Sequence, residues 1–239
     1  IVVVKQLFGG LGKNFMNPAL GGRAFLMLCY PVAMTTWVAP GIGTGAWADL
    51  LGGTKTMAGV DIVSSATPLS ADFMHGGLLP DATILDAFVG NVGGCIGEIS
   101  ALALLLGGVY LIVRGVIRAR IPVAYIATVA VLTFLFPKGG ADNLQFMLYS
   151  IFGGGLMLGA FFMATDYTTS PLYFWGRVVF AFGCGLMTMV IREFGSLPEG
   201  VSYSIILMNI LTPLIERYIK PQAFGALREK KRAKGGAEK

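Results

Sequence analysis

Seven stretches of this chain are apolar over the length of a membrane-crossing helix or about half of it: residues 18–38, 84–92, 96–117, 121–136, 144–164, 173–192 and 201–219. A helix needs roughly 20 apolar residues to cross a bilayer, and runs near that length recur from end to end. The pattern predicts an all-α polytopic membrane protein, with a transmembrane helical domain over 1–219 and a basic tail over 220–239. A long polar, Gly-rich stretch at 39–81 reads as a loop outside the bilayer. Two segments place an asparagine beside glycines just before a long span: FGGLGKNFMNPALGG at 8–22 and FVGNVGGCIGEISALALLLGG at 88–108. Counted along the chain they run in opposite directions across the membrane. They predict an inverted repeat of broken helices meeting near mid-membrane, a urea-channel-like architecture.

Composition agrees with lipid as the main solvent. Apolar residues make up 55% of 239 positions and charged residues 13%, and mean hydropathy is +0.72; so few charges could not cover a soluble surface. The charges also orient the chain, because basic loops stay cytoplasmic. The tail is strongly basic, and the loop RGVIRARIP adds Arg114, Arg118 and Arg120. Both then face the cytoplasm, as does ATDYTTSP at 164–171. The segment 39–81, with Asp49, Asp61, Asp72 and Asp81 against Lys55, falls outside. The apolar start IVVVKQLF has neither initiator methionine nor cleavage site and reads as the edge of a fragment, not a signal peptide.

Cys29, Cys95 and Cys184 stand far apart without a CxxC pair, which argues against an iron-sulfur or zinc site held by this chain alone. They read as buried hydrophobes, with a site shared with another subunit left open. No GxGxxG lies between strand and helix, so NADH is not expected here, and nothing points to nucleic acid.

The polar groups inside spans carry the chemistry, since an unpaired charge there costs about 2.5–3.5 kcal/mol. Glu98 follows the break at Asn91, Gly93 and Gly94. It reads either as an aid to cation or proton passage, or a partner to a flavin or subunit, or as a helix-start acid. Arg23 and Arg177 read as snorkelling to the cytoplasmic surface or as binding flavin oxygens, and Glu216 as an interfacial partner of Arg217. Asp166, Thr168 and Thr169 offer the acceptors and hydroxyls of a second flavin site, or of a tight polar loop. The lone His75 reads as a solvated loop residue.

DIVSSATPLS at 61–70 resembles the flavin-attachment motif, Ser/Thr-x-Ala-Thr, of two related membrane subunits. These are the D-type subunit of the Rnf ferredoxin:NAD oxidoreductase complex and the B-type subunit of the sodium-pumping NADH:quinone reductase. The resemblance continues through GNVGGCIGEISALALLLGG (90–108), GGGLMLGAFFMATDYTTSP (153–171) and PEGVSYSIILMNILTPLIERY (198–218), and is closer to the Rnf protein. It implies FMN joined through its phosphate to the Thr67 hydroxyl, with Ser64, Ser65 and Ala66 completing the motif. Ser65 stands where the family often has glycine. Pro68 favours an extended, accessible Thr67. The resemblance also implies a non-covalent riboflavin, further spans before residue 1, and a place in a bacterial or archaeal cytoplasmic (inner) membrane. The implied partners are a flavoprotein G-type subunit, iron-sulfur membrane subunits of A/E type, peripheral B/C-type subunits and membrane lipid. On this reading the chain is an electron-relaying subunit of a Na+ or H+ pump, inactive alone. A solute channel and a flavin-free scaffold are the rival readings.

Overall fold

The computed structural model describes residues 1–35, 69, 83–95, 97–137, 142–195 and 200–219. Among these every regular element is helical, and no strand occurs. A π-helical turn, Val2–Gln6, opens the chain. It is followed by α1 (Pro18–Cys29), α2 (Pro31–Thr35), α3 (Ile84–Val89), α4 (Ala101–Val113), α5 (Arg120–Leu135) and α6 (Asn143–Phe152). Next, α7 (Leu156–Leu158) runs on as a π-helical segment, Gly159–Met163, and α8 (Phe174–Phe194) and α9 (Val201–Tyr218) complete the fold.

Local chemistry sets the helix ends. Asn17 caps α1, its side chain accepting from the Ala19 N–H at 2.9 Å, with Pro18 at the first helical position. Tyr30 and Pro31 then part α1 from α2, so the predicted span 18–38 is two helices over its described part. Thr83 and Asp86 form a reciprocal capping box at the start of α3. Gly90 ends that helix with φ 108°, and a side chain there would meet Ser100 at 2.9 Å, so this turn requires glycine. Ser100 caps α4 by accepting from the Ala103 N–H. The helix predicted over 96–117 is thus shorter, Ala101–Val113, because the break extends to the Ser100 cap.

A second correction concerns 144–164. This apolar run reads as one span, yet α6 and the helix from Leu156 to Met163 meet at 61°. The sequence Gly153-Gly154-Gly155 is the hinge, with Gly154 at φ 65°. By contrast, α8 follows the predicted 173–192 closely and is long and apolar enough to cross a membrane. Its buried face packs inside the protein, while Trp175, Val179, Phe182 and Val190 face outward.

The core is shared by α5, α8 and α9, with α8 packed on both neighbours. Tyr125, Val129, Phe180, Ala181, Cys184 and Ile205 lie buried there. Gly185 lets α8 approach α5: an added Cβ would fall 2.6 Å from Thr128. The outer face of α4 leaves Leu106, Val109, Tyr110 and Val113 exposed. Contiguous apolar surface of this kind marks a face built for lipid or a partner.

Candidate functional site

The motif Ser64-Ser65-Ala66-Thr67 and His75 lie outside the described residues, as do most of 39–81 and all of 220–239. Leu69, however, is described. It is fully buried against Phe146 and Tyr149 of α6, with Ile84 of α3 packed beside them. Gly153 makes room for it, since a Cβ there would meet Leu69 Cδ1 at 2.5 Å. The chain two residues beyond Thr67 is therefore pinned beside the α6–α7 hinge.

The broken segments converge on a buried ion pair. Arg23 of α1 pairs through Nη1 with Glu98 Oε1. Glu98 is 4% exposed and stands before the Ser100 cap, not in the first turn of α4. Its carboxylate also abuts the second hinge: a Cβ on Gly155 would sit 3.0 Å from Glu98 Cδ. Glu98 Oε2 has no hydrogen-bond partner among the described residues. The Arg23 guanidinium, read from the sequence as snorkelling or binding flavin oxygens, reaches Glu98 in this structure.

Asp166, Thr168 and Thr169 do come together. Both hydroxyls donate to Asp166 Oδ2, at 2.9 Å from Thr168 and 3.1 Å from Thr169. The N-terminal break joins them, because Asn14 Nδ2 donates to Thr168 Oγ1 at 3.0 Å. The Thr212 hydroxyl of α9 donates to the Thr169 carbonyl at 2.9 Å. Glu216 accepts from the Leu172 N–H at 2.9 Å, fastening this same loop to α9 instead of pairing with Arg217. Thr168 remains exposed and Asp166 half-buried, so the cluster reaches the surface.

Three buried polar groups were not read from the sequence. Arg192, 1% exposed, donates through Nη1 to the Ser150 carbonyl at 2.8 Å, bracing α8 against α6. Tyr125, Thr188 and Ser204 join α5, α8 and α9 through hydroxyl contacts of 2.6, 3.1 and 2.7 Å. Asn209 lies buried in α9 with neither amide atom hydrogen-bonded among the described residues. The spacing of Thr188 and Arg192, one turn apart on an otherwise apolar helix, is the signal that could have found the first two. Among the described residues no group of three His, Cys, Asp or Glu side chains could hold a metal ion.

Residues 1–225 match the family described as NQR2, RnfD, RnfE. The chain belongs to this family. It is 48% identical over 237 residues to the D-type subunit of the Na+-translocating ferredoxin:NAD+ oxidoreductase complex of Acetobacterium woodii, covering 98% of this chain and 66% of that protein. It is 42% identical to the D-type subunit of the proton-translocating ferredoxin:NAD+ oxidoreductase complex of Clostridium ljungdahlii, with 95% and 66% covered. The D-type subunit of the ion-translocating oxidoreductase complex of Stutzerimonas stutzeri is 40% identical, with 94% and 67% covered. The chain spans just under two thirds of the length of the first two relatives. The resemblance read from 61–70, 90–108, 153–171 and 198–218 thus falls within the matched region.

Proposed function

We propose that this chain works as a flavin-carrying, electron-relaying membrane subunit of an ion-translocating ferredoxin:NAD+ oxidoreductase complex. FMN is attached through its phosphate to Thr67, and the flavin supplies the electron-carrying chemistry. The observation that carries this reading is the burial of Leu69 immediately beyond the motif. A tethered cofactor needs only one covalent bond, but useful electron transfer needs its tether held at a fixed place. Leu69, seated between α3 and α6, gives that fixed point.

The rest of the reading follows from the same placement. The polytopic arrangement has 39–81 outside and the basic tail inside, as the loop charges favour. The opposed breaks at 8–22 and 88–108 support the urea-channel-like inverted repeat: each joins helical segments across Gly-rich turns, and the two are bridged by Arg23 and Glu98. Glu98 belongs to the ion pathway, its free Oε2 available to a passing cation while Oε1 stays with Arg23. The Asp166, Thr168 and Thr169 cluster holds a second, non-covalent flavin, riboflavin. Two lone-pair sites of the Asp166 carboxylate are taken by the threonines, leaving others for a ligand donor. Partners are the G-type flavoprotein subunit, the A/E-type iron-sulfur membrane subunits and the peripheral B/C-type subunits.

In-gel fluorescence tests the reading. Expressed in cells able to transfer flavin, the denatured wild-type band fluoresces as flavin and Thr67→Ala is dark. A dark wild-type band leaves a channel or a flavin-free scaffold as the better description.

A further inference from the structure

A second polar constellation, unused so far, lies where α4 stops and α5 and α8 start. Here a cavity of about 270 Å³ is lined by Arg118 and Arg177, with Thr165, Tyr167 and Ser170 completing its polar wall. At about 30 Å³ per water, that is room for roughly nine waters, enough for a phosphate group and part of its ester.

Neither Arg118 nor Arg177 forms an ion pair with a carboxylate among the described residues. The acids of this end bond to other groups, Asp166 Oδ2 to two threonine hydroxyls and Glu216 to the Leu172 N–H. Arg177 donates from Nε to the Pro171 carbonyl at 2.9 Å. That contact fixes the side chain while leaving its two terminal nitrogens for a ligand. Arg118 and Arg120 both act electrostatically on Arg177, and Arg120 is held over the Phe174 ring at 4.5 Å. Three like charges gathered at a half-buried cavity repel one another unless an anion joins them. Planar guanidiniums beside hydroxyls match the oxygens of a phosphate, which each arginine can grip with two donors.

The rim selects the source of that phosphate. Val113, Leu172 and Trp175 flank the cavity in the chain with wide apolar exposure. The charge asymmetry of the loops assigns this Arg-rich end to the cytoplasmic leaflet, where anionic headgroups lie and tryptophan favours the interface. A soluble phosphate ester would leave that apolar rim in water. We propose that the cavity binds the phosphate of an anionic phospholipid between Arg118 and Arg177, with its acyl chains against Val113 and Trp175. The bound lipid would staple the α4–α5 turn to the loop that carries Asp166, Thr168 and Thr169.

The test uses the intact complex, delipidated and returned to nanodiscs of phosphatidylglycerol in phosphatidylcholine or of phosphatidylcholine alone. Native mass spectrometry counts retained phosphatidylglycerol, and thermal unfolding reports its effect on this subunit. Wild type keeps the anionic lipid and melts higher with it. The pair Arg118→Gln with Arg177→Gln binds it about thirtyfold more weakly, from two lost charges, whereas Arg114→Gln, outside the cavity, matches wild type. Arg118→Gln alone lies in an exposed turn and leaves the helices intact, so it gives a folded variant with a partial loss. Equal retention in wild type and the double variant overturns the proposal. So does inorganic phosphate at millimolar concentration reproducing the full thermal shift, which would assign the cavity to a soluble phosphate ester.

Discussion

Arg23 and Glu98 form a buried ion pair that ties α1 to the break between α3 and α4. The pair joins the two Gly-broken segments whose opposed directions along the chain predict a repeat. It also rests against the Gly153–Gly155 hinge, so α1 and two interruptions of helix meet at one carboxylate. Isolated charges are expensive in such a setting, and pairing is what makes them tolerable.

Removing one partner leaves the other charge buried. Arg23→Gln is therefore expected to destabilise the subunit by about 3–5 kcal/mol, read as a fall in unfolding temperature in detergent. Replacing both with apolar residues, Arg23→Met with Glu98→Leu, restores most of that stability but not ion movement in proteoliposomes. Full ion movement in the stable double variant would remove Glu98 from the pathway.

Gly155 faces the same carboxylate. Gly155→Ala puts a methyl 3.0 Å from Glu98 Cδ, and overpacking of this kind costs roughly 1–3 kcal/mol. Combining it with Glu98→Ala should recover much of the loss. A thermal-unfolding cycle over the four proteins measures that coupling, and strict additivity would contradict the contact.

The hydroxyl network in the core gives a graded series. Tyr125→Phe leaves Thr188 and Ser204 in contact at 2.7 Å, so it should cost about 1 kcal/mol, near the net value of one hydrogen bond. Thr188→Val and Ser204→Ala each remove a hydroxyl that contacts both others and also donates to a carbonyl of its own helix, of Cys184 or of Val201. Each should cost more than Tyr125→Phe in the same unfolding assay.

Much of this fold is legible in the chain, and the reasons for the exceptions are local. The helices α8 and α9 follow the apolar runs 173–192 and 201–219 closely, and Pro213 within α9 does not end it. The break after α3 is legible because Asn91, Gly93 and Gly94 interrupt an apolar run. The hinge at 153–155 is not, because three glycines in a lipid-like run also suit close helix packing. Glu98 stands out by its charge, but its partner lies 75 residues away, and no local pattern pairs them. The Asp166, Thr168 and Thr169 cluster is legible as a loop, whereas Asn14 and Thr212 reach it only through the tertiary fold. Arg192, at the end of the run 173–192, is buried against Ser150 of α6, a partner 42 residues away that no local pattern supplies.

Leu69 offers a prediction about the tether. Leu69→Ala removes a fully buried side chain, a change that typically costs 2–5 kcal/mol in a well-packed core. The segment around the motif should become more susceptible to limited proteolysis while Thr67 is still modified, and electron transfer through the assembled complex should slow. Proteolysis and turnover both unchanged would show that Leu69 does not hold the tether.

The central assignment is covalent FMN at Thr67, and peptide mass spectrometry of the subunit purified from flavin-transferring cells addresses it most directly. The peptide containing Thr67 should carry an added mass of FMN less one water, with fragmentation locating it on the Thr67 oxygen. An unmodified peptide at full occupancy, or the same mass located on Ser64 or Ser65, would contradict it.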